Sequence, residues 1–187
     1  MTTERGVARR TRGAFEVIFE RHLPHSPARV WAMLTQPENI EAWFCARVEI
    51  DGRPGGKMVE HHEHVGVDVH GEVTRWEPPR VFEHTWWFGE LHGAPMGTVS
   101  WEIFPEGSGT KLILTHRRPN LDAGGMTAAH TSLDVLCAVL DGADPKDHAA
   151  PEGEFRDGEF VETRPGRGRW ADRARLQQEY ERDFAAL

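Results

Sequence analysis

The sequence predicts an α+β domain in which an antiparallel sheet is covered on one face by a single long helix near the C-terminal end. Two observations carry this. Between Ala14 and His116 most segments alternate apolar and polar side chains, the two-residue period of half-buried strands. Met126–Leu140 then switches to helical spacing, with Met126, His130, Leu133, Cys137 and Leu140 on one stripe. Strands grouped ahead of a helix, rather than alternating with helices, point to α+β layering.

Taken in order, residues 1–12 carry Arg5, Arg9, Arg10 and Arg12 without an apolar pattern and read as a disordered tail. Ala14–Leu23 alternates Phe15, Val17 and Phe19 with charged neighbours, giving a first strand that Pro24 stops. Ser26-Pro27 supplies an N-cap and a proline at the first helical position, opening a short helix with Val30, Trp31, Met33 and Leu34 inward. Gln36-Pro37 breaks it, and a second short helix runs from Glu38 to Phe44 with Ile40, Trp43 and Phe44 inward. Arg47–Asp51 is the next strand. Gly52–Trp87 reads as three short antiparallel strands punctuated by Gly55-Gly56 and Pro78-Pro79. A glycine-rich loop containing Leu91 and Met96 leads to strands at Thr98–Phe104 and Lys111–His116, joined by the turn residues Pro105–Gly109.

After the long helix, Gly142 is placed to end it, and composition shifts. Residues 143–168 are rich in Gly, Pro, Asp, Glu and Arg and read as an excursion from the core, with Asp157-Gly158 marking a hairpin. Residues 169–187 form an amphipathic helix that docks through Trp170, Leu176, Tyr180 and Phe184.

At 187 residues, 39% hydrophobic and 28% charged, the chain suits one domain with an appendage. A formal net charge of -8 argues against nucleic acid, whose binders need cationic surface to displace counterions. No apolar run approaches the ~18 residues of a bilayer span, and no signal-peptide core opens the chain. No membrane partner is therefore expected. Cys45 and Cys137 lack CxxC spacing, which fits a cytoplasmic protein with both thiols packed as small apolar groups rather than as ligands. No P-loop, dinucleotide glycine motif, GxSxG or EF-hand is present, and no cofactor is expected.

With this order in place, the chain resembles the bacterial proteins related to the C-terminal domain of the activator of Hsp90 ATPase, in the START-like, Bet v 1-like or SRPBCC superfamily. The matching residues are Pro27–Trp31, Pro37-Glu38 through Trp43-Phe44, Arg53–Gly56, Gly71–Val73, and Glu77–Val81 into Glu83–Trp86. The match closes with Gly109–Leu112 to His116 and a helix carrying Leu133-Asp134 and ending in Leu140–Gly142. The resemblance implies a helix-grip fold over residues 13–142: a curved antiparallel sheet wrapped on a long helix, with two short helices after the first strand and a cavity between sheet and helix. Where relatives place a tryptophan or histidine near the start of that helix, this chain has Ala128-Ala129-His130. The superfamily includes ligand carriers, cyclases and chaperone activators, and a fold alone does not choose among them.

An apolar cavity with a few polar anchors is what a small-molecule site requires. Trp31, Trp43, Phe44, Phe82, Trp86, Trp101, Leu114, Met126 and Leu133 are the expected apolar lining, and His84, His116 and His130 the expected polar anchors. The leading expectation is an apolar ligand, aromatic, polyketide-like or lipid-like. The alternative is a cyclase, dehydratase or hydrolase using those three histidines as acid and base. A chaperone-activator-like interaction role is the third, and a homodimer is compatible with all of them. The histidine run at 61–64 invites a metal, but strand alternation puts His62 and His64 on one face and His61 on the other. A metal site would need His62 and His64 with one of Glu60, His84 or His116. A cavity wall without metal is the expectation, with His70 turned outward.

Overall fold

The computed structural model describes residues 5–88, 96–156 and 159–187. Its strands are β1 (Val7–Thr11), β2 (Ala14–Leu23), β3 (Arg47–Ile50), β4 (Lys57–His62), β5 (Val67–Glu77), β6 (Val81–Phe88), β7 (Gly97–Glu106), β8 (Gly109–Arg118), β9 (Glu152–Arg156) and β10 (Glu159–Arg164). The helices are α1 (Pro27–Thr35), α2 (Pro37–Ile40), α3 (Ala123–Leu140) and α4 (Arg173–Ala185). Eight strands make one antiparallel sheet in the order β1-β2-β8-β7-β6-β5-β4-β3, while β9 and β10 pair separately. The expected α+β helix-grip architecture is what is observed.

Strand alternation decides the inner face. Val17, Phe19, Val99, Trp101, Ile103, Leu112 and Leu114 are all buried there. Two cross-strand rows run through it: Trp76–Phe82–Trp101–Leu114–Phe19 and Val73–His84–Val99–His116–Val17. On β4 the inward residues are those in phase with Met58, so Glu60 and His62 face in. His61 faces out, to Asp68 at 3.0 Å and Glu49 at 3.4 Å.

The helices start where the sequence chemistry places them. Ser26 Oγ accepts from Arg29 N–H at 3.4 Å with Pro27 following. The Asp122 carboxylate accepts from Gly125 N–H at 3.1 Å and starts α3 at Ala123, ahead of the expected Met126. α2 is shorter than expected and ends at Ile40. Trp43 is nonetheless pinned inward, its Nε1–H donating to Met33 O at 2.8 Å. By length and mean hydropathy, 18 residues at 1.2, α3 would suffice to cross a bilayer, contrary to the expectation that no run comes close. Here it is the core helix, packed against β2 on one side and α4 on the other.

Residues 7–11, expected within a disordered tail, instead form β1 on the open edge of β2. The expectation failed because Val-Ala-Arg-Arg-Thr has no alternation, while the strand is held by a hairpin with β2 and by side-chain partners, some of them far away in sequence. Arg5 pairs with Glu179 at 2.9 Å and Asp183 at 3.0 Å, Gly6 N–H donates to Tyr180 Oη at 2.9 Å, and Arg9 pairs with Glu16 at 2.7 Å.

The 143–168 segment is closed at its base by a bridge between Ala149 and Arg167 and folds back on the sheet through Gly153 N–H to His64 O at 3.2 Å. Its hairpin is formed by β9 and β10; the expected Asp157-Gly158 turn, like most of the 89–97 loop with Leu91, lies outside the described residues.

At Gly71 the neighbouring strand β6 comes close to the backbone of β5. A β-carbon there would lie 2.3 Å from Thr85 O, a backbone atom that cannot move aside. Gly71→Ala is expected to cost about 1–3 kcal/mol, as overpacking does, read as a lowered midpoint in thermal unfolding.

Candidate functional site

The expected lining residues fall into two groups. Phe82, Trp101, Leu114, Met126 and Leu133 are buried in the continuous core, where they pack against one another. Trp31 meets Trp76 edge-on at 5.1 Å, and Trp76 meets Phe82 at 5.3 Å. Trp76 escaped the sequence reading because a bulge between Val73 and Arg75 flips the parity of β5. Trp86 lies under the Arg118 guanidinium, 5.0 Å from its ring centre. Arg118 also holds Asp122 at 3.3 Å and so fastens the start of α3 to β8.

The three anchor histidines are all drawn inward. His84 stacks on Phe82 at 5.1 Å and donates its Nδ1–H to Thr85 O at 2.9 Å; burial pulls its pKa below the ordinary value. His116 is pushed down to about 3 by burial, with the charges of Arg118 and His84 adding to it. Its buried Nδ1 has no hydrogen-bond partner among the described residues. His130 is lowered to about 4, chiefly by burial, against the opposing pull of Asp134. It is almost fully buried. Its Nδ1 accepts from Tyr180 Oη–H at 2.9 Å and its Nε2 lies 3.6 Å from Asp134, which also pairs with Arg21 at 3.1 Å. It belongs to the seam between α3 and α4.

Open space lies elsewhere, at the end of β4. A cleft of about 280 Å³ is walled by Trp43, Phe44 and Cys45 of the α2–β3 connector, Val135 of α3, His64 of the β4–β5 turn, and His148–Ala150, Glu152 and Trp170. A wider depression of about 690 Å³ shares Glu41, Phe44, Cys45, His64 and Glu152 with it. The 143–168 segment thus forms one wall, and its Gly153–His64 hydrogen bond sets that wall in place. On it, His148 Nδ1 accepts from Arg169 N–H at 3.3 Å, while its buried Nε2 has no partner among the described residues.

At the floor, Cys45 Sγ stands 4.0 Å from His62 Nδ1, and His62 Nε2 is held by Glu60 at 3.0 Å. The ligand atoms of Cys45, His62 and His64 all lie within 4.8 Å of one another. Burial alone would push the Cys45 thiol up, but hydrogen bonds and charge from His62 and His64 outweigh it and bring it down to about 7. Burial likewise opposes the charge on His62, yet Cys45 and Glu60 lift it to about 10. The pair therefore carries thiolate and imidazolium character near neutrality. Cys45 is not the inert packing residue expected from the sequence. Cys137 is: burial pushes its thiol up to about 11.

A family model described as activator of Hsp90 ATPase homolog 1-like protein matches residues 24–138. The chain belongs to this family. No curated protein matches it. Among solved structures, the AHSA1-like chain is similar to the crystal structure of CalU16 from Micromonospora echinospora. The two are 23% identical at a TM-score of 0.68, over 100% of this chain and 98% of that one. The solution NMR structure of CalU16 is 26% identical at 0.67, over 100% and 94%. Protein MLL2253 from Mesorhizobium loti is 25% identical at a TM-score of 0.60, over 69% of this chain and 98% of that one. This chain aligns with CalU16 along its whole length and has segments beyond MLL2253.

Proposed function

We propose that this AHSA1-like protein binds a small, largely apolar molecule in the cleft between α3, the α2–β3 connector and the 143–168 segment. One observation carries the reading: the cleft pairs an apolar wall of Trp43, Phe44, Val135 and Trp170 with a few polar groups, Glu41, Cys45, His64, His148 and Glu152. That is the composition of a small-molecule site, and about 280 Å³ is near the lower end of the usual range of roughly 300–1,000 Å³. The volume favours a compact aromatic compound over an extended lipid chain. The fold supports the same class of function. Acid–base catalysis by His84, His116 and His130 finds no support, since burial holds each imidazole neutral and His130 is tied to Tyr180 and Asp134.

The test is titration of the full chain with the apolar fluorophore 1-anilinonaphthalene-8-sulfonate. Saturable enhancement at one equivalent per chain is expected. Ala149→Trp, which fills the cleft from the side of the 143–168 segment, should weaken it at least ten-fold at an unchanged melting temperature. Equal saturation in the variant would overturn the assignment.

A further inference from the structure

We propose that Cys45, His62 and His64 form a binding site for Zn²⁺, with three protein ligands and a fourth position open to the cleft. One thiolate and two imidazoles are donors that zinc prefers, and three protein ligands with an open fourth position is the arrangement of a reactive rather than a closed structural zinc site. The distances fit. In a tetrahedral zinc site a sulfur and a nitrogen ligand lie roughly 3.6 Å apart, given their bond lengths. Cys45 Sγ and His62 Nδ1 are 4.0 Å apart, and the three donor atoms lie within 4.8 Å of one another, so a small inward movement of the side chains completes the set.

A second observation points the same way. His62 turns Nδ1 toward Cys45 while Glu60 Oε2 holds Nε2 at 3.0 Å. A carboxylate on the far nitrogen of a ligating histidine fixes its tautomer and raises its basicity, a recurrent feature of metal-ligating histidines. The chain also places the ligands on supported elements. His62 ends β4 with its ring edge-on to Phe44 at 5.6 Å, and the carbonyl of His64 is held by the 143–168 segment through Gly153 N–H. The geometry answers the face problem of the histidine run. His62 points inward on the strand, His64 follows in the turn, and the third ligand is Cys45 rather than Glu60, His84 or His116.

Cys45 and His64 both border the cleft, so a metal bound there would present its open position to whatever enters. The ligand chemistry that suits this is a compact molecule with one donor atom, oxygen, nitrogen or sulfur, on an apolar body. The metal site itself needs only the three side chains and stands whether or not the organic ligand binds.

The experiment is titration of metal-free, untagged full-length protein with Co²⁺, followed by competition with Zn²⁺. Uptake of one Co²⁺ per chain is expected, with a thiolate-to-cobalt charge-transfer band that Zn²⁺ removes. Cys45→Ser should abolish the band and Cys137→Ser leave it intact. Glu60→Gln should keep the band but weaken binding about ten- to hundred-fold, the usual cost of losing such a support. Absence of the band, or its persistence in Cys45→Ser, would overturn the site. With the fluorophore titration run on the same metal-free protein, dye binding and cobalt uptake are read independently, and the two readings fail separately.

Discussion

Replacing Tyr180 by Phe is expected to lower the thermal midpoint by on the order of 10 °C, a large effect for one hydroxyl on the C-terminal helix. The side chain is completely buried, and its oxygen works in both directions. It accepts from Gly6 N–H at 2.9 Å and donates to His130 Nδ1 at 2.9 Å. Removing it leaves a buried backbone donor and a buried imidazole nitrogen without that partner, each at about 1–3 kcal/mol. The ring contact with Phe184, 5.5 Å between centres, survives the change. The loss should therefore be read as one of hydrogen bonding. Tyr180→Ala adds a cavity and should cost about 3–5 kcal/mol more or less independently of pH. Differential scanning calorimetry of both variants checks this, and a shift below about 2 °C for Tyr180→Phe would show that the hydroxyl does not tie β1, α3 and α4 together.

The same contact explains what was legible in the sequence and what was not. Alternation in Phe15–Phe19, Val99–Ile103 and Leu112–His116 is a local signal, and it correctly assigned the inner face of the sheet, including Phe82, His84 and Trp86. Tyr180 was visible as part of an amphipathic face, but its bonds to Gly6 and His130 span 174 and 50 residues, and no local period encodes them. For that reason neither the anchoring of β1 to α4 nor the His130–Tyr180 bond is legible in the sequence. The cleft was hidden for a related cause. Cys45 precedes a strand, His62 ends another, and His148 comes from the 143–168 segment, which meets the β4–β5 turn through a backbone hydrogen bond far away in sequence. Strand parity separated His62 from His61 correctly but offered no means of finding the cysteine opposite. Trp76 was lost to a bulge, which no alternation pattern predicts.

Stability is expected to fall steeply as pH drops from about 6.5 toward 5, and the inner histidines are the cause. His116 and His130 are lowered to about 3 and about 4, so both stay neutral in the native state across this range, and burial lowers His84 in the same direction. In the unfolded chain each takes up a proton near 6.5. The unfolded state then binds more protons than the native one, so stability rises with pH here and is lost on acidification, by up to about 1.4 kcal/mol per pH unit for each histidine. The Cys45–His62 pair does not contribute to this limb. His62, raised to about 10, is protonated in both states below 6.5, and its contribution is lost only as pH climbs through 10. Cys45, lowered from 9.0 to about 7, contributes in the opposite sense, present above 9 and lost as pH falls through 7. The two therefore oppose each other on the alkaline side. His116→Leu isolates the acid limb, because replacing an imidazole whose Nδ1 has no partner among the described residues by an apolar group of similar size should be nearly neutral at pH 7.5. Denaturant unfolding at pH 5.0, 5.5, 6.5 and 7.5 should show the variant gaining on the parent as pH falls, its acid slope shallower by up to about 1.4 kcal/mol per unit. Parallel slopes for parent and variant would mean that His116 is already protonated in the native protein, and that its corner of the sheet admits the solvent or counter-charge needed to keep it so.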